Sequence, residues 1–133
     1  MKKLLSILSI ALLSLVTMTS CEKSPTELIV GNWELTQMKL SGQGMTIDVD
    51  PAEAGIALTV SFKANGSYTI TSSSEDGAES ESGTYVYNET SSIITLTTEG
   101  YSYSLTVGSI SEEELVITQN EEGTTISMYL TRK

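Results

Sequence analysis

The sequence predicts one all-β domain that follows an N-terminal secretion signal. After Gly31, apolar and polar residues alternate in short runs, which is the two-residue period of a β-strand. Turn signals such as Asn65-Gly66 separate these runs. Such short connections favour antiparallel pairing, because parallel strands need crossovers of roughly a dozen residues. The sheet can then curl into a barrel or fold over as a sandwich.

The first twenty residues have the order of a secretory signal peptide. Lys2 and Lys3 give a positive start, residues 4–16 are apolar apart from serines, and residues 17–20 are mostly small and polar. The apolar run is too short to span a bilayer, which needs about 20 residues. We therefore predict that residues 1–20 are a signal peptide that is removed.

The only cysteine of the chain, Cys21, follows this segment directly. A lone cysteine cannot form an internal disulfide, and a free thiol in a secreted protein needs an explanation. Met18-Thr19-Ser20-Cys21 resembles the lipobox of bacterial lipoproteins, which implies that Cys21 carries lipid and becomes the new N-terminus. Two or more acyl chains anchor a protein stably. We expect residues 21–24 to be a lipidated N-terminus and short tether on a membrane of the cell envelope. We expect the outer membrane, with the periplasmic or surface face left open.

The mature chain should be strongly acidic. Removing residues 1–20 removes two lysines and no acid, so the formal charge changes from 7 − 17 = −10 to 5 − 17 = −12. Such a protein should be repelled by nucleic acid and by anionic lipid surfaces. We expect no nucleic-acid partner. Residues 25–133 have the length of a single domain.

A short helix is predicted where this domain begins. Ser24 can cap a helix, Pro25 suits its first position, and Glu27 can hydrogen-bond back to the cap. Gly31 is a suitable stop. Only three residues separate Cys21 from Pro25, so the domain should lie close to the membrane.

Eight strands follow from the alternating pattern. They cover residues 33–40, 58–62, 68–70, 85–87, 94–98, 101–107, 115–117 and 126–130. The one long interruption runs from residue 41 to residue 55. Within it, Asp50-Pro51-Ala52-Glu53 repeats the helix-start signal, so the segment is either a helical turn that covers one end of a barrel or a plain surface loop.

Several short motifs point to one family. Gly31-Asn32-Trp33 opens the first strand, residues 62–68 form a hairpin, Gly83-Thr84-Tyr85 starts a later strand, and the chain ends with residues 129–133. Together with the lipobox, this order resembles the lipocalin-like domain of short lipoproteins of Gram-negative bacteria. The resemblance covers residues 25–133.

The resemblance implies an eight-stranded antiparallel up-and-down barrel. It also implies that the tryptophan of the Gly-x-Trp motif packs at the closed end against a basic residue near the last strand. Trp33 and Arg132 match these two positions. We therefore interpret them as a structural closed-end pair, held by contact between a guanidinium and an indole.

The composition excludes most kinds of catalytic site. Histidine is absent, which excludes nucleophiles activated by histidine and zinc bound by histidine. Glycosidases work with carboxylates alone, but the acids here cluster in predicted turns, at residues 75–81, 112–114 and 121–122. We interpret these clusters as solvated charge. We expect neither an enzyme nor a cofactor.

A metal site is not predicted either. Asp48, Asp50 and Glu53 are the best candidates, because calcium prefers clustered oxygen ligands. However, Asp50 is already assigned a capping role, and the spacing of a calcium-binding loop is absent.

Aromatic residues supply the candidate ligand pocket. Five tyrosines share the apolar face of their strands, whereas Tyr129 falls on the opposite face. They either fill the core, since tyrosine favours strands, or line a cavity with their hydroxyls. An eight-stranded barrel has room for packed side chains or for one small ligand. The candidate pocket residues are Phe62, Tyr68, Tyr85, Tyr87, Tyr101 and Tyr103.

Two functions remain open at this point. The first is a non-catalytic, membrane-anchored barrel that binds a small hydrophobic or amphipathic molecule. The second is a cell-envelope module with a filled core whose outer face binds a protein or a glycan. The sequence identifies neither the ligand nor a protein partner.

Overall fold

The computed structural model describes residues 23–133. The predicted signal peptide and Cys21 lie outside this range. Within residues 23–133 there are one short helix and nine strands: α1 Pro25–Leu28, β1 Gly31–Gly42, β2 Met45–Val49, β3 Ala57–Phe62, β4 Ser67–Ser74, β5 Gly77–Asn88, β6 Ile93–Thr98, β7 Tyr101–Ile110, β8 Glu114–Glu121 and β9 Thr124–Arg132.

Eight of these strands close an antiparallel barrel. From β3 to β9 each strand pairs with the next along the chain, and β1 pairs with both β3 and β9. The predicted all-β fold, an eight-stranded up-and-down barrel with a short N-terminal helix, is therefore confirmed. The barrel closes where β1 pairs with β3 along Gly31–Glu34, and this pairing removes the free strand edges there.

The ninth strand, β2, lies in the segment predicted as an interruption. Gln43 and Gly44 both have positive φ, 51° and 77°, and form a two-residue turn between β1 and β2. β2 pairs with the second half of β1, from Met38↔Val49 to Gly42↔Met45. The β1–β2 hairpin thus extends the barrel wall beyond the part where β1 pairs with β3.

The segment between β2 and β3 forms hydrogen-bonded turns and no helix. Asp50 caps the first of these turns rather than a helix: its carboxylate accepts from Ala52 N (3.0 Å) and its carbonyl from Ala54 N (3.0 Å). Pro51 is buried, whereas residues 52–56 are exposed. The surface-loop alternative is the one observed, with Pro51 as its anchor.

The Asn65-Gly66 turn differs from the predicted two-residue hairpin. Four residues, Lys63 to Gly66, connect β3 to β4, and of the pair only Gly66 has positive φ, 90°. The Asn65 side chain accepts a hydrogen bond from Ser67 N (3.0 Å). This contact of Asn65 with the backbone two residues on favours the longer turn.

The barrel has two different ends. The closed end carries α1 and the turns that follow β3, β5 and β7; the open end carries the turns that follow β1, β4, β6 and β8. Ser24 caps α1 by accepting from Glu27 N (3.4 Å), as predicted. Ile29, just after the helix, is fully buried and covers the closed end. The lower half of the interior is solid: its largest fully buried side chains are Trp33, Tyr68, Phe62, Ile29, Ile94, Leu96, Leu115 and Leu130.

Trp33 and Arg132 meet at the closed end. The Arg132 guanidinium lies 4.3 Å from the centre of the Trp33 ring, and Trp33 Nε1 donates to Ile29 O (2.9 Å). Arg132 also donates to the carbonyls of Val30 (2.8 Å) and Leu28. Gly31 leaves room for this guanidinium, since a Cβ there would lie 2.2 Å from Arg132 Nη1. The pair thereby connects the helix, the first strand and the last strand.

Candidate functional site

A cleft opens in the upper barrel wall between two hairpins. β5 pairs with β4 along Gly77–Thr84, but with β6 only from Thr84 to Asn88. Above Thr84, therefore, no strand of the described residues pairs with β5 on its β6 side. A cavity of about 540 Å³ occupies this place and is called the cleft below. It is lined by Ile70, Ser72, Glu79, Ser80, Glu81, Ser82, Thr98, Glu99, Tyr101 and Tyr103.

Gly83 and Thr98 form the lower limit of the cleft. A Cβ on Gly83 would lie 2.0 Å from the Thr97 carbonyl oxygen and 3.1 Å from the Tyr68 ring, so only glycine allows this approach. Thr98 is buried, and its hydroxyl donates to Ser82 O (2.7 Å). Above this hydrogen bond the two strands separate.

Glu81 is the central polar group of the cleft. It pairs with Ile70 across β4 and β5, and it shares the inward parity of Tyr85 and Tyr87. Its Oε2 accepts hydrogen bonds from the hydroxyls of Tyr68 (2.8 Å) and Tyr103. In residues 23–133, no donor reaches its Oε1. The carboxylate is thus fixed on one oxygen and open to a ligand on the other.

Both phenols are protonated donors at neutral pH. Burial raises the pKa of Tyr68, and the hydrogen bond to Glu81 raises it further. Burial raises the pKa of Tyr103 as well, and Glu81 again adds to the effect. The two hydroxyls therefore act as donors, and both hydrogen bonds go to Glu81 Oε2.

Aromatic and acidic side chains form the rim. The rings of Tyr101 and Tyr103 are stacked, with centroids 6.1 Å apart and an interplanar angle of 26°. Tyr101 is 56% exposed, and Glu79 and Glu99 are exposed near it. The cleft therefore presents an aromatic face on β7 and carboxylates on β5 and on the β6–β7 turn.

Charge is distributed unequally between the two ends. Most basic residues of the described chain lie at the closed end: Lys23, Lys63, Arg132 and Lys133. The acids of the upper half are Asp48, Asp50, Glu53, Glu75, Asp76, Glu79, Glu81, Glu99, Glu121 and Glu122. Lys39, on the outer side of β1 over the Tyr129 ring, is the basic residue of that half. The open end therefore has a negative potential.

The profile of the lipocalin-like domain family matches residues 29–117. The chain belongs to the lipocalin-like domain family. A crystal structure of a lipocalin-like protein from Bacteroides uniformis ATCC 8492 has the same fold, with a TM-score of 0.54 and 20% sequence identity over 80% of this chain and 98% of that one.

Two further solved structures are less similar to this lipocalin-like barrel. A de novo designed fluorescence-activating β-barrel has a TM-score of 0.47 and 13% identity over 84% of this chain and all (100%) of that one. The siderocalin Ex-FABP has a TM-score of 0.40 and 13% identity over 80% of this chain and 74% of that one. Among curated proteins, none is significantly similar to this sequence.

The six candidate pocket residues occupy different heights in the lipocalin-like barrel. Tyr101 and Tyr103 line the cleft, and Tyr68 lies beneath it with its hydroxyl on Glu81. Phe62 is buried and packs edge-on against Tyr85 at 4.8 Å, and the Tyr85 hydroxyl donates to the Lys63 carbonyl (2.8 Å). Tyr87 is half-buried beside these residues at the closed end. The structure thus brings two of the six to the cleft.

Sequence reasoning missed the acids of the cleft. The sequence predicts Glu79 and Glu81 to be solvated charge in a turn, but β5 begins at Gly77 and includes both. The turn itself holds only Glu75 and Asp76. The signal was present in the spacing, because residues 79 and 81 have the same parity as the inward-facing Tyr85.

Residues 23–133 contain neither a cluster of metal ligands nor a membrane-spanning helix. Asp48, Asp50 and Glu53 surround a shallow depression, but no three acidic or cysteine side chains in this range converge as metal ligands. In the same range, no helix has both the length and the apolar character that a membrane crossing requires.

Proposed function

We propose that this chain is a lipid-anchored, non-catalytic protein of the cell envelope whose cleft binds a small amphipathic molecule. The cleft itself carries the proposal, since about 540 Å³ falls within the range of roughly 300–1,000 Å³ for small-molecule sites. The lipocalin-like fold is consistent with such a role. Carboxylates, hydroxyls and two tyrosine rings line the cleft, which favours an amphipathic guest over a purely hydrophobic one.

The position of α1 supports an orientation for this proposal. α1 is bound to the closed end: Thr26 donates from its backbone N (2.9 Å) and its hydroxyl to Glu89, and Arg132 donates to Leu28 O. Three residues between Cys21 and Pro25 span only about 10 Å. A lipid on Cys21 would therefore hold the closed end towards the membrane, which we propose to be the outer membrane. The cleft would open away from it.

Native mass spectrometry of the full chain, expressed in a Gram-negative host and purified in mild detergent, tests ligand binding. We expect an added mass that denaturation releases. Ser72→Phe places a large ring in the cleft and should abolish the added mass. Ser73→Phe is the matched control, because the adjacent residue faces outward and should leave the added mass in place.

A ligand that persists in Ser72→Phe would show that the cleft is not its site. If wild-type protein carries no added mass, even after incubation with an extract of envelope small molecules, the binding proposal is wrong.

A protein partner is the second candidate function, and one observation favours it. Met45 and Ile47 on β2 are 67% and 54% exposed, and Ile56 in the following loop is 38% exposed. Among the strands of residues 23–133, β2 pairs only with β1, so its other edge can accept a further strand. Ile47→Asp should abolish cross-linking to an envelope protein while leaving the added mass of the cleft unchanged.

A further inference from the structure

We infer that the cleft selects organic cations, namely small amines or guanidinium compounds with an apolar body. The charged group would bind between Glu79 and Glu81, and the apolar body would lie on the stacked rings of Tyr101 and Tyr103. This inference rests on the proposed role of the cleft as a binding site and specifies the class of ligand.

Glu81 presents a preorganised carboxylate to the cleft. Tyr68 and Tyr103 both donate to Glu81 Oε2, which fixes the carboxylate in one orientation. Oε1 receives no hydrogen bond from the described chain, and Glu81 lines the cavity. A donor that arrives with a ligand therefore meets a rigid, charged acceptor, and hydrogen bonds to charged groups are the stronger kind.

The negative charge of the cleft is uncompensated. Three glutamates line the cleft, Glu79, Glu81 and Glu99, and its lining contains no lysine or arginine. Most basic residues of residues 23–133 lie at the opposite end of the barrel. A cation relieves the repulsion between these carboxylates, whereas an anion such as a fatty acid increases it. The negative potential of the open end also raises the local concentration of cations.

The cleft also offers further hydrogen-bond acceptors to a cationic ligand. An ammonium group has three donors. Besides Glu81 Oε1 and the Glu79 carboxylate, the free edge of β5 supplies a backbone carbonyl. The Ser82 carbonyl faces this edge, where it accepts from Thr98, and the two-residue period of a strand directs that of Ser80 to the same side.

The lining of the cleft suits an organic cation better than a metal ion. In the part of the chain that the structure describes, the acids of the cleft do not converge as a three-ligand metal group. The ring faces of Tyr101 and Tyr103 offer no ligand atoms to a metal ion. They attract an organic cation through cation–π contact and cover its apolar part. Dispersed acceptors beside an aromatic face fit an amine better.

Isothermal titration calorimetry on the full chain in nonionic detergent tests this inference with three probes of matched shape: phenethylammonium, phenylethanol and phenylpropionate. We expect the ammonium to bind at least about tenfold more tightly than the alcohol, and the carboxylate not to bind. Glu79→Gln should weaken ammonium binding about tenfold. Its side chain is exposed, so the fold should be unaffected. Glu122→Gln, an acid of the β8–β9 turn outside the cleft, should leave affinity unchanged.

Equal affinity for the alcohol or the carboxylate would overturn the selection of cations and leave the binding site itself intact. The same holds if Ser72→Phe removes a co-purified ligand that carries no positive charge. If no probe binds and native mass spectrometry finds no ligand, both proposals fail. Glu81→Gln is a second variant. Circular dichroism checks its folding, because the substitution also disturbs the hydrogen bonds that Tyr68 and Tyr103 donate to this side chain.

Discussion

At the scale of the residue, Arg132 connects parts of the chain that are far apart in sequence. Its guanidinium covers the Trp33 ring at 4.3 Å and donates to carbonyls on both sides of the end of α1, those of Leu28 and Val30. Its Nε donates to the Glu112 carbonyl in the β7–β8 turn. Arginine suits this position because its planar group offers five donors and a flat face at once. A lysine could satisfy only part of these contacts.

Trp33→Ala tests the closed end. Trp33 is fully buried, so the loss of its ring should lower the free energy of unfolding by about 3–5 kcal/mol. Urea unfolding followed by far-UV circular dichroism measures this change. Val86→Ala, at a side chain that is 70% exposed, is the control and should change stability by less than about 0.5 kcal/mol. A small effect for Trp33→Ala would remove this residue from the core.

Tyr103→Phe tests the protonation of the cleft. Burial raises the pKa of Tyr103 in the folded state, so the folded protein binds the phenol proton more tightly than the unfolded chain does. This contribution to stability is complete below the unfolded pKa of about 10 and is lost as the pH rises above it. Wild-type stability should therefore fall in alkali, and more steeply than that of Tyr103→Phe.

Urea midpoints across a series of alkaline pH values measure this slope. Ser104→Ala, a change to an exposed and non-titrating neighbour on β7, should keep the wild-type slope. Tyr68, Tyr85 and Tyr87, whose pKa burial also raises, should retain part of the slope in the variant. A slope unchanged by Tyr103→Phe would contradict a neutral, partly buried phenol at this position.

At the scale of the element, β5 creates the cleft. Its lower half pairs with β6, and its upper half pairs only with β4. β5 is longer than β6, which ends at Thr98, so the carboxylates of Glu79 and Glu81 extend past the end of the neighbouring strand. Gly83 lies at the point of separation. The cleft is therefore a consequence of unequal strand lengths.

Gly83→Ala tests this separation point. The new Cβ would lie 2.0 Å from the Thr97 carbonyl oxygen, a backbone atom, so β5 and β6 must move apart. We expect a loss of about 1–3 kcal/mol or more in unfolding free energy. Gly108→Ala is the matched control on β7, where the nearest atom, Thr118 Oγ1 at 3.2 Å, belongs to a side chain that can rotate. Equal effects of the two changes in a urea melt would contradict a tight approach at Gly83.

The β1–β2 hairpin shows which elements the sequence could predict. Met45, Ile47 and Val49 alternate with Thr46 and Asp48, the same pattern that predicted the other strands correctly. This run is short and is flanked by Gly44 and Pro51, so alternation alone gives a weak signal there. Its exposure also differs from that of the barrel strands, since Met45 and Ile47 face solvent. Alternation thus identified strands, but not where each strand ended.

At the scale of the whole molecule, the barrel is solid at one end and open at the other. Fully buried apolar side chains fill the lower half around Trp33 and Leu96. The upper half holds partly buried apolar side chains such as Leu58, Ile70 and Met128, and the polar and tyrosine side chains of the cleft. The packed interior and the cavity, which the sequence left as alternatives, are therefore both present in one barrel.

Cys21→Ser tests the anchor and the orientation that we propose. Lipid-bearing protein should fractionate with the outer membrane and incorporate labelled palmitate, whereas the variant should do neither. Native mass spectrometry should find the same ligand in both forms, because the cleft lies at the end of the barrel opposite to α1. Membrane fractionation that is identical for Cys21→Ser and wild type would disprove the anchor.

The sequence by itself determined the fold class, the approximate strands, the short helix and the fold family, because these depend on local alternation, capping residues and short motifs. Tertiary structure decided which inward residues form a core and which form a site. Parity assigns a side chain to a face of the sheet, but its height in the barrel depends on the register of both neighbouring strands. Tyr87 and Glu81 have the same parity in β5, yet one lies at the closed end and the other in the cleft, because β6 ends between their levels.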